Sequence, residues 1–138
     1  MSTNANINDI ASVINTTEPL AYINDKPYSI RPGETILKFV RRHLGEKLVP
    51  TLCDAPNLDP FGSCRVCSVD VALVKDGPAK AQASCHTPVI PNSFIYTDST
   101  RIKKLRRNII ELVLTDHPLD CLTCVVNNNC ELQTVAAR

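Results

Sequence analysis

From Leu20 onward, apolar and polar residues alternate in short runs, and the periods change along the chain. Leu20-Ala21-Tyr22-Ile23-Asn24 and Tyr28-Ser29-Ile30-Arg31-Pro32 are β-prone runs separated by Asp25-Lys26-Pro27, which predicts a hairpin. Pro32-Gly33-Glu34 then opens a helix with Thr35 near its cap. Ile36, Leu37, Phe39, Val40 and Leu44 supply its apolar face, and Gly45 ends it. Ser68 to Val74 alternates as a strand and runs into the turn Lys75-Asp76-Gly77-Pro78, with Ala79 to Cys85 as a hairpin partner and Ser93 to Thr97 as a further strand. Ser99 or Thr100 caps a long helix whose stripe is Ile102, Leu105, Ile109, Leu112 and Val113, and Pro118 stops it after His117. The last segment is a cysteine loop leading into a short helix. Residues 1–19 are polar and weakly patterned, and are expected to be a loose tail. The order hairpin, helix, loop, strands, helix predicts an α+β domain with a helix laid across a mixed sheet.

Composition changes this picture in one respect. Among 138 residues there are 7 cysteines, no tryptophan, and only 3 tyrosines and 3 phenylalanines, so the core is aliphatic and modest. An odd cysteine count would strand one thiol if disulfides were the purpose. The N-terminus lacks a basic segment followed by an apolar one, and no apolar run is long enough to span a membrane. A cytoplasmic location is expected, where clustered cysteines favour metal over disulfide. A net charge of +1 argues against nucleic acid as a partner.

The cysteines fall into two sets. Cys53, Cys64 and Cys67 share one loop as C-x10-C-x2-C, and Cys85 follows in the next hairpin strand. A C-x2-C pair can turn two sulfurs inward on one side, while Gly62-Ser63 lets backbone N–H groups approach them. Pro56 and Pro60 restrict the loop. His117, Cys121, Cys124 and Cys130 form H-x3-C-x2-C-x5-C, four donors in fourteen residues directly after a helix stop. Leu119, Leu122, Val125 and Val126 are expected to keep water from this site, and Asn127-Asn128-Asn129 suits left-handed backbone. From residues alone, the first set fits an iron–sulfur cluster or zinc, and the second fits a [4Fe–4S] cluster with one imidazole or a Cys3His zinc site. A thioredoxin-like dithiol at Cys64/Cys67 lacks the strand-then-helix setting it needs. Ser68 and Val125 stand where covalent haem would require histidine. His43 and His86 are expected to be structural. The basic run Arg101, Lys103, Lys104, Arg106 and Arg107 reads as a solvated helix face, the alternatives being an acidic partner or an easing of nearby cluster reduction.

The segments FGSCRVC, with Cys53 upstream, and LRRNIIELVLTDHPLDCLTCVVNNNCELQ resemble an N-terminal iron–sulfur region. That region is shared by NAD-linked formate dehydrogenase alpha subunits, the large iron–sulfur subunit of respiratory complex I and [FeFe]-hydrogenase catalytic subunits. The small diaphorase subunit of NAD-reducing hydrogenases carries it too. The resemblance runs from about Leu20 to the C-terminus. It implies a β-grasp, plant-ferredoxin-like domain over residues 20–98 and a helical His/Cys3 segment over 99–138. It assigns Cys53, Cys64, Cys67 and Cys85 to a [2Fe–2S] cluster, and His117, Cys121, Cys124 and Cys130 to a [4Fe–4S] cluster. The implied activity is relay of single electrons between a flavin/NADH-binding iron–sulfur subunit and a catalytic subunit or domain. No residue acts as acid, base or nucleophile. The wording HPLDCLTC and NCELQ looks most like formate dehydrogenase. Family members continue into further clusters and a catalytic domain, so a fragment or a stand-alone carrier subunit is expected.

Overall fold

The computed structural model describes residues 18–137; the expected tail, apart from its last two residues, lies outside them. Strands β1 (Leu20–Ile23) and β2 (Lys26–Ser29) form the predicted hairpin. Its turn is not at Asp25-Lys26-Pro27 but at Asn24-Asp25, both with positive φ (48° and 68°). Two consecutive left-handed residues make the two-residue turn whose twist suits a hairpin, and Asn and Asp adopt that conformation at low cost. Pro27 therefore sits inside β2. It is tolerated because β2 is the sheet edge, where a missing N–H leaves no ladder bond unmade.

Helix α1 (Ile36–Leu44) starts at Thr35, whose hydroxyl accepts from the Lys38 N–H, and ends at Gly45 with φ 89°. Strands β3 (Ser68–Ala72), β4 (Lys80–Ala83) and β5 (Phe94–Tyr96) complete a five-stranded sheet in the order β2-β1-β5-β3-β4. The β1/β5 pair is parallel and the other pairs are antiparallel, so the sheet is mixed, as expected. With helices α2 (Thr100–Thr115) and α3 (Glu131–Ala136), this is a β-grasp domain followed by a short helical segment.

Strand alternation gives the sheet two different faces. Ala21, Ile23, Val69 and Ile95 point to one face and pack with Ile36, Leu37, Phe39 and Val40 of α1 in a single core cluster. On the other face Tyr22 stacks on Phe94, ring centroids 4.5 Å apart and planes within 7°. Asp70, also on that face, is only 4% exposed. The Ser99 hydroxyl donates to it at 2.6 Å and Arg101 pairs with it, which fixes the start of α2 on β3. Ser99 also caps α2, accepting from the Ile102 N–H at 3.2 Å. Ile102 and Ile110 are buried beneath α2, whereas Leu112, placed in the predicted stripe, is 70% exposed, as is Leu44 to a lesser degree on α1.

Candidate functional site

The first cysteine set lies at the open end of the β3–β4 hairpin. Cys67 immediately precedes β3 and Cys85 lies two residues beyond the end of β4, so pairing of the strands brings the two together. Ser84 reinforces this: its hydroxyl donates to the Cys67 carbonyl at 2.7 Å. Helix α1 fixes the same segment from its other side. The first N–H groups of a helix have no intrahelical acceptor. Here the Ile36 and Leu37 N–H groups donate to the Thr87 and Ser84 carbonyls, both at 2.9 Å, so the start of α1 brackets Cys85.

Cys53 is positioned by Arg41. From the last turn of α1 its guanidinium reaches Asp54 at 2.6 Å and the Thr51 hydroxyl at 3.2 Å, gripping the loop on both sides of Cys53. Between Cys64 and Cys67 the backbone turns sharply. Arg65 has φ 61°, and its carbonyl accepts from both the N–H (3.1 Å) and the hydroxyl (2.6 Å) of Ser68. This turn directs Cys64 and Cys67 to the same side. The four thiols meet in pairs, Cys53 with Cys64 and Cys67 with Cys85, and the pairs feel each other's charge.

The thiols differ in how readily they ionise. Burial, then the neighbouring charge of Cys67, pushes Cys85 up to about 12, against a backbone hydrogen bond from Gly62. Burial also raises Cys53. Cys64 is opposed by burial too, but backbone N–H groups, that of Val66 foremost, together with the Cys53 thiol hold it below the ordinary value. N–H groups aimed at sulfur are what a negatively charged metal–sulfur centre needs. The donor set, its burial and these N–H groups therefore fit an iron–sulfur cluster.

The second set follows α2. Consecutive turns close over it: the Cys124 N–H donates to the Cys121 carbonyl, Asn127 to Cys124, and Asn129 to Val126. Asn128 has φ 67°, the left-handed conformation expected of the asparagine run. Gln133 of α3 clips the loop by accepting from the Asn128 N–H at 3.1 Å and donating to the Asn127 side chain at 2.9 Å. His117, Cys121, Cys124 and Cys130 all line one cavity of about 380 Å³ whose walls include Leu114, Pro118, Leu119, Val126, Leu132 and Ala136. Thiol and imidazole donors around an apolar hollow fit a cluster here as well. The apolar screen differs from expectation. Leu119 and Val126 do line the cavity, but Leu122 and Val125 are 95% and 99% exposed, because the turns at Cys121–Cys124 and Cys124–Asn127 throw them outward.

All seven cysteines are free thiols. Among the described residues, no three His, Cys, Asp or Glu side chains close round a point suited to a lone metal ion. His43 is structural, tilted over Tyr28 with ring centroids 4.7 Å apart and 3.1 Å from the Ser29 carbonyl. Sequence reasoning passed over Arg41, and it read Arg101 and Arg106 first as part of a solvated helix face, with an acidic partner or an easing of nearby cluster reduction as the alternatives. Arg106 carried a readable signal: it stands four residues from both Ile102 and Ile110, inside the buried stripe rather than on the solvated face.

A β-grasp sheet with cysteines gathered at one end, and a second cysteine-lined cavity beyond it, marks an iron–sulfur electron-transfer module. Residues 20–100 match the family described as 2Fe-2S iron-sulfur cluster binding domain, and the chain belongs to that family. Residues 106–138 match the NADH-ubiquinone oxidoreductase-G iron-sulfur binding region. A [2Fe–2S] domain and a [4Fe–4S] binding region are thus both present, and the zinc readings fall away. The chain is 40% identical over 122 residues to the NADP-reducing hydrogenase subunit HndD of Solidesulfovibrio fructosivorans, covering 84% of this chain and 20% of that protein. It is 35% identical over 116 residues to the mitochondrial NADH-ubiquinone oxidoreductase 78 kDa subunit of Candida albicans, covering 84% of this chain and 15% of that protein. Among solved structures, an NAD+-reducing [NiFe]-hydrogenase in the H2-reduced state superposes with a TM-score of 0.74 at 25% identity, over 88% of this chain and 48% of the other. The chain thus spans a fifth or less of these two curated relatives. Among the described residues no helix is long and apolar enough to cross a membrane.

Proposed function

We propose that the chain relays single electrons between a flavin- or NAD(P)H-oxidising iron–sulfur subunit and a catalytic subunit or domain of a cytoplasmic NAD(P)-linked oxidoreductase. In this reading residues 20–98 hold the [2Fe–2S] cluster through Cys53, Cys64, Cys67 and Cys85. Residues 99–138 hold the [4Fe–4S] cluster through His117, Cys121, Cys124 and Cys130. The observation that supports it best is the arrangement of two separate donor sets, one before α2 in the chain and one after it, with the first in contact thiol to thiol. Bound clusters supply the one-electron chemistry. The chain's own residues fix positions, exclude water and aim N–H groups at sulfur.

The relatives named above are hydrogenase and complex I proteins, which supports the oxidoreductase class; a formate dehydrogenase parent rests on the wording of the His117–Cys130 segment alone. Purification without oxygen should give a brown protein with about six irons per chain, the sum of the two cluster types. His117→Ala should remove the [4Fe–4S] signal from the electron paramagnetic resonance spectrum of the reduced protein and keep the [2Fe–2S] signal. Loss of both together would show that the two-site partition is wrong. Subunits that co-purify from the native source identify the parent reaction.

A further inference from the structure

Arg106 lies within the buried stripe of α2, between Ile102 and Ile110, with its guanidinium directed at β3. Its Nε and Nη2 both donate to the Ser68 carbonyl, at 3.0 and 2.6 Å. Ser68 directly follows Cys67, itself 1% exposed. Half-buried, this guanidinium pays for desolvation, which lowers its pKa, while Asp98, Cys67 and Asp70 favour its charge. An arginine keeps its proton in such a setting. Of the other basic groups of the run, Arg101 is matched by the buried Asp70 carboxylate and the rest face outward. Lys103 pairs with Asp98 and Arg107 with Glu111, both in solvent, and Lys104 is exposed.

We propose that Arg106 is a positioning and potential-setting residue for the [2Fe–2S] cluster, holding a fixed positive charge behind Cys67 and raising the cluster's reduction potential. The inference rests on the assignment of Cys67 to that cluster. One-electron reduction adds one negative charge, makes and breaks no bond, and moves no proton. A nearby cation in a partly desolvated site favours the more negative state and is screened less by salt than a surface cation. The two bonds to Ser68 hold the charge in place, and the same bonds tie α2 to the cysteine loop. Arg106 thereby couples the placement of the helix leading to His117 to the first cluster.

The test uses the full chain with both clusters bound, titrated with a chemical reductant and followed by the [2Fe–2S] resonance. Arg106→Gln should load its [2Fe–2S] cluster and show a lower midpoint potential than wild type. Arg106→Lys should recover most of the difference, and Lys104→Gln, the same charge change on the exposed face, should leave the potential in place. An unchanged midpoint in fully loaded R106Q, or an equal drop in K104Q, would overturn the proposal. If R106Q fails to load, Arg106→Met, which keeps the aliphatic stem against the stripe, takes its place. Failure of both would make Arg106 purely structural and overturn it too. A wild-type protein without a [2Fe–2S] resonance would instead refute the cluster assignment, a separate failure.

Discussion

At the scale of single residues, the first site depends on backbone shape as much as on sulfur. Gly62 has φ 75°, and a Cβ there would meet His86 Nδ1 at 2.7 Å and the Ala83 Cβ at 3.0 Å. His86 is exposed and can swing aside, but Ala83 is fully buried and cannot. Left-handed backbone adds about 1–2 kcal/mol for any residue with a side chain. Gly62→Ala should therefore destabilise the chain by at least about 1 kcal/mol. It should also draw the Gly62 N–H away from Cys85, and the measurement is the [2Fe–2S] resonance amplitude per chain beside the melting temperature. The candidate donors could be picked out in the sequence, because thiols and imidazoles at short spacing have few other uses. Arg41 could not, and Arg106 was signalled only by its place between Ile102 and Ile110, not by any partner in the sequence. Whether an arginine turns inward depends on what the fold sets opposite it, here Asp54 and the Ser68 carbonyl, and neither lies near its arginine in sequence.

Within elements, periodicity located each helix and strand, while turn chemistry was misread by two residues at the first hairpin. Asp25-Lys26-Pro27 drew attention because proline usually interrupts strands, yet the edge position of β2 removes that objection. Helix α1 shows how an element is held down by charge as well as by Phe39 and its neighbours. Arg42 donates to Glu34 through Nε and Nη2 at 2.8 and 2.6 Å, and the Glu34 side chain is 8% exposed. The Arg42 hydrogen bonds, despite burial and with help from the Arg31 N–H, hold the Glu34 carboxyl below its ordinary value of 4.5. A carboxyl whose folded value is depressed stabilises the fold above the unfolded value, and this contribution is lost as pH falls through the folded value. At pH 7 Glu34→Gln should cost about 1.5–3 kcal/mol, the usual worth of hydrogen bonds to a charged group. The gap between the melting temperatures of wild type and E34Q should narrow once pH drops below about 4.5. A gap constant across that window would show that the ion pair contributes nothing. In the core, Phe39→Ala should cost about 3–5 kcal/mol in denaturant unfolding, because Phe39 is fully buried under the sheet.

Across the whole molecule, stability is unevenly distributed. The sheet and α1 share one buried core, and α2 is fixed to β3 through Ser99, Arg101, Ile102 and Arg106. Beyond Asp116 no described residue is buried, and Leu119, Leu122 and Val125 stand largely in solvent. The turns from His117 to Cys130 and the six residues of α3 thus have little apolar burial of their own, and a helix so short is not stable in isolation. Under the proposed assignment, their order comes from the cluster, since binding free energy at a metal site that does not pre-exist in the unfolded chain is folding free energy. On that assignment the expected apolar screen failed at Leu122 and Val125 because a segment held by metal ligands need not bury every leucine and valine to stay folded. Removing the [4Fe–4S] cluster, by His117→Ala or Cys124→Ser, should leave the β-grasp melting transition within a few degrees of wild type. Amide hydrogen exchange should become fast across residues 117–137, remain protected in β3 and β5, and change gradually along α2 from Arg106 toward Thr115. Protection retained in residues 117–137 without the cluster would mean that the turns and the Gln133 clip suffice alone. Loss of protection in β3 as well would mean that the two cluster regions fold as one cooperative unit.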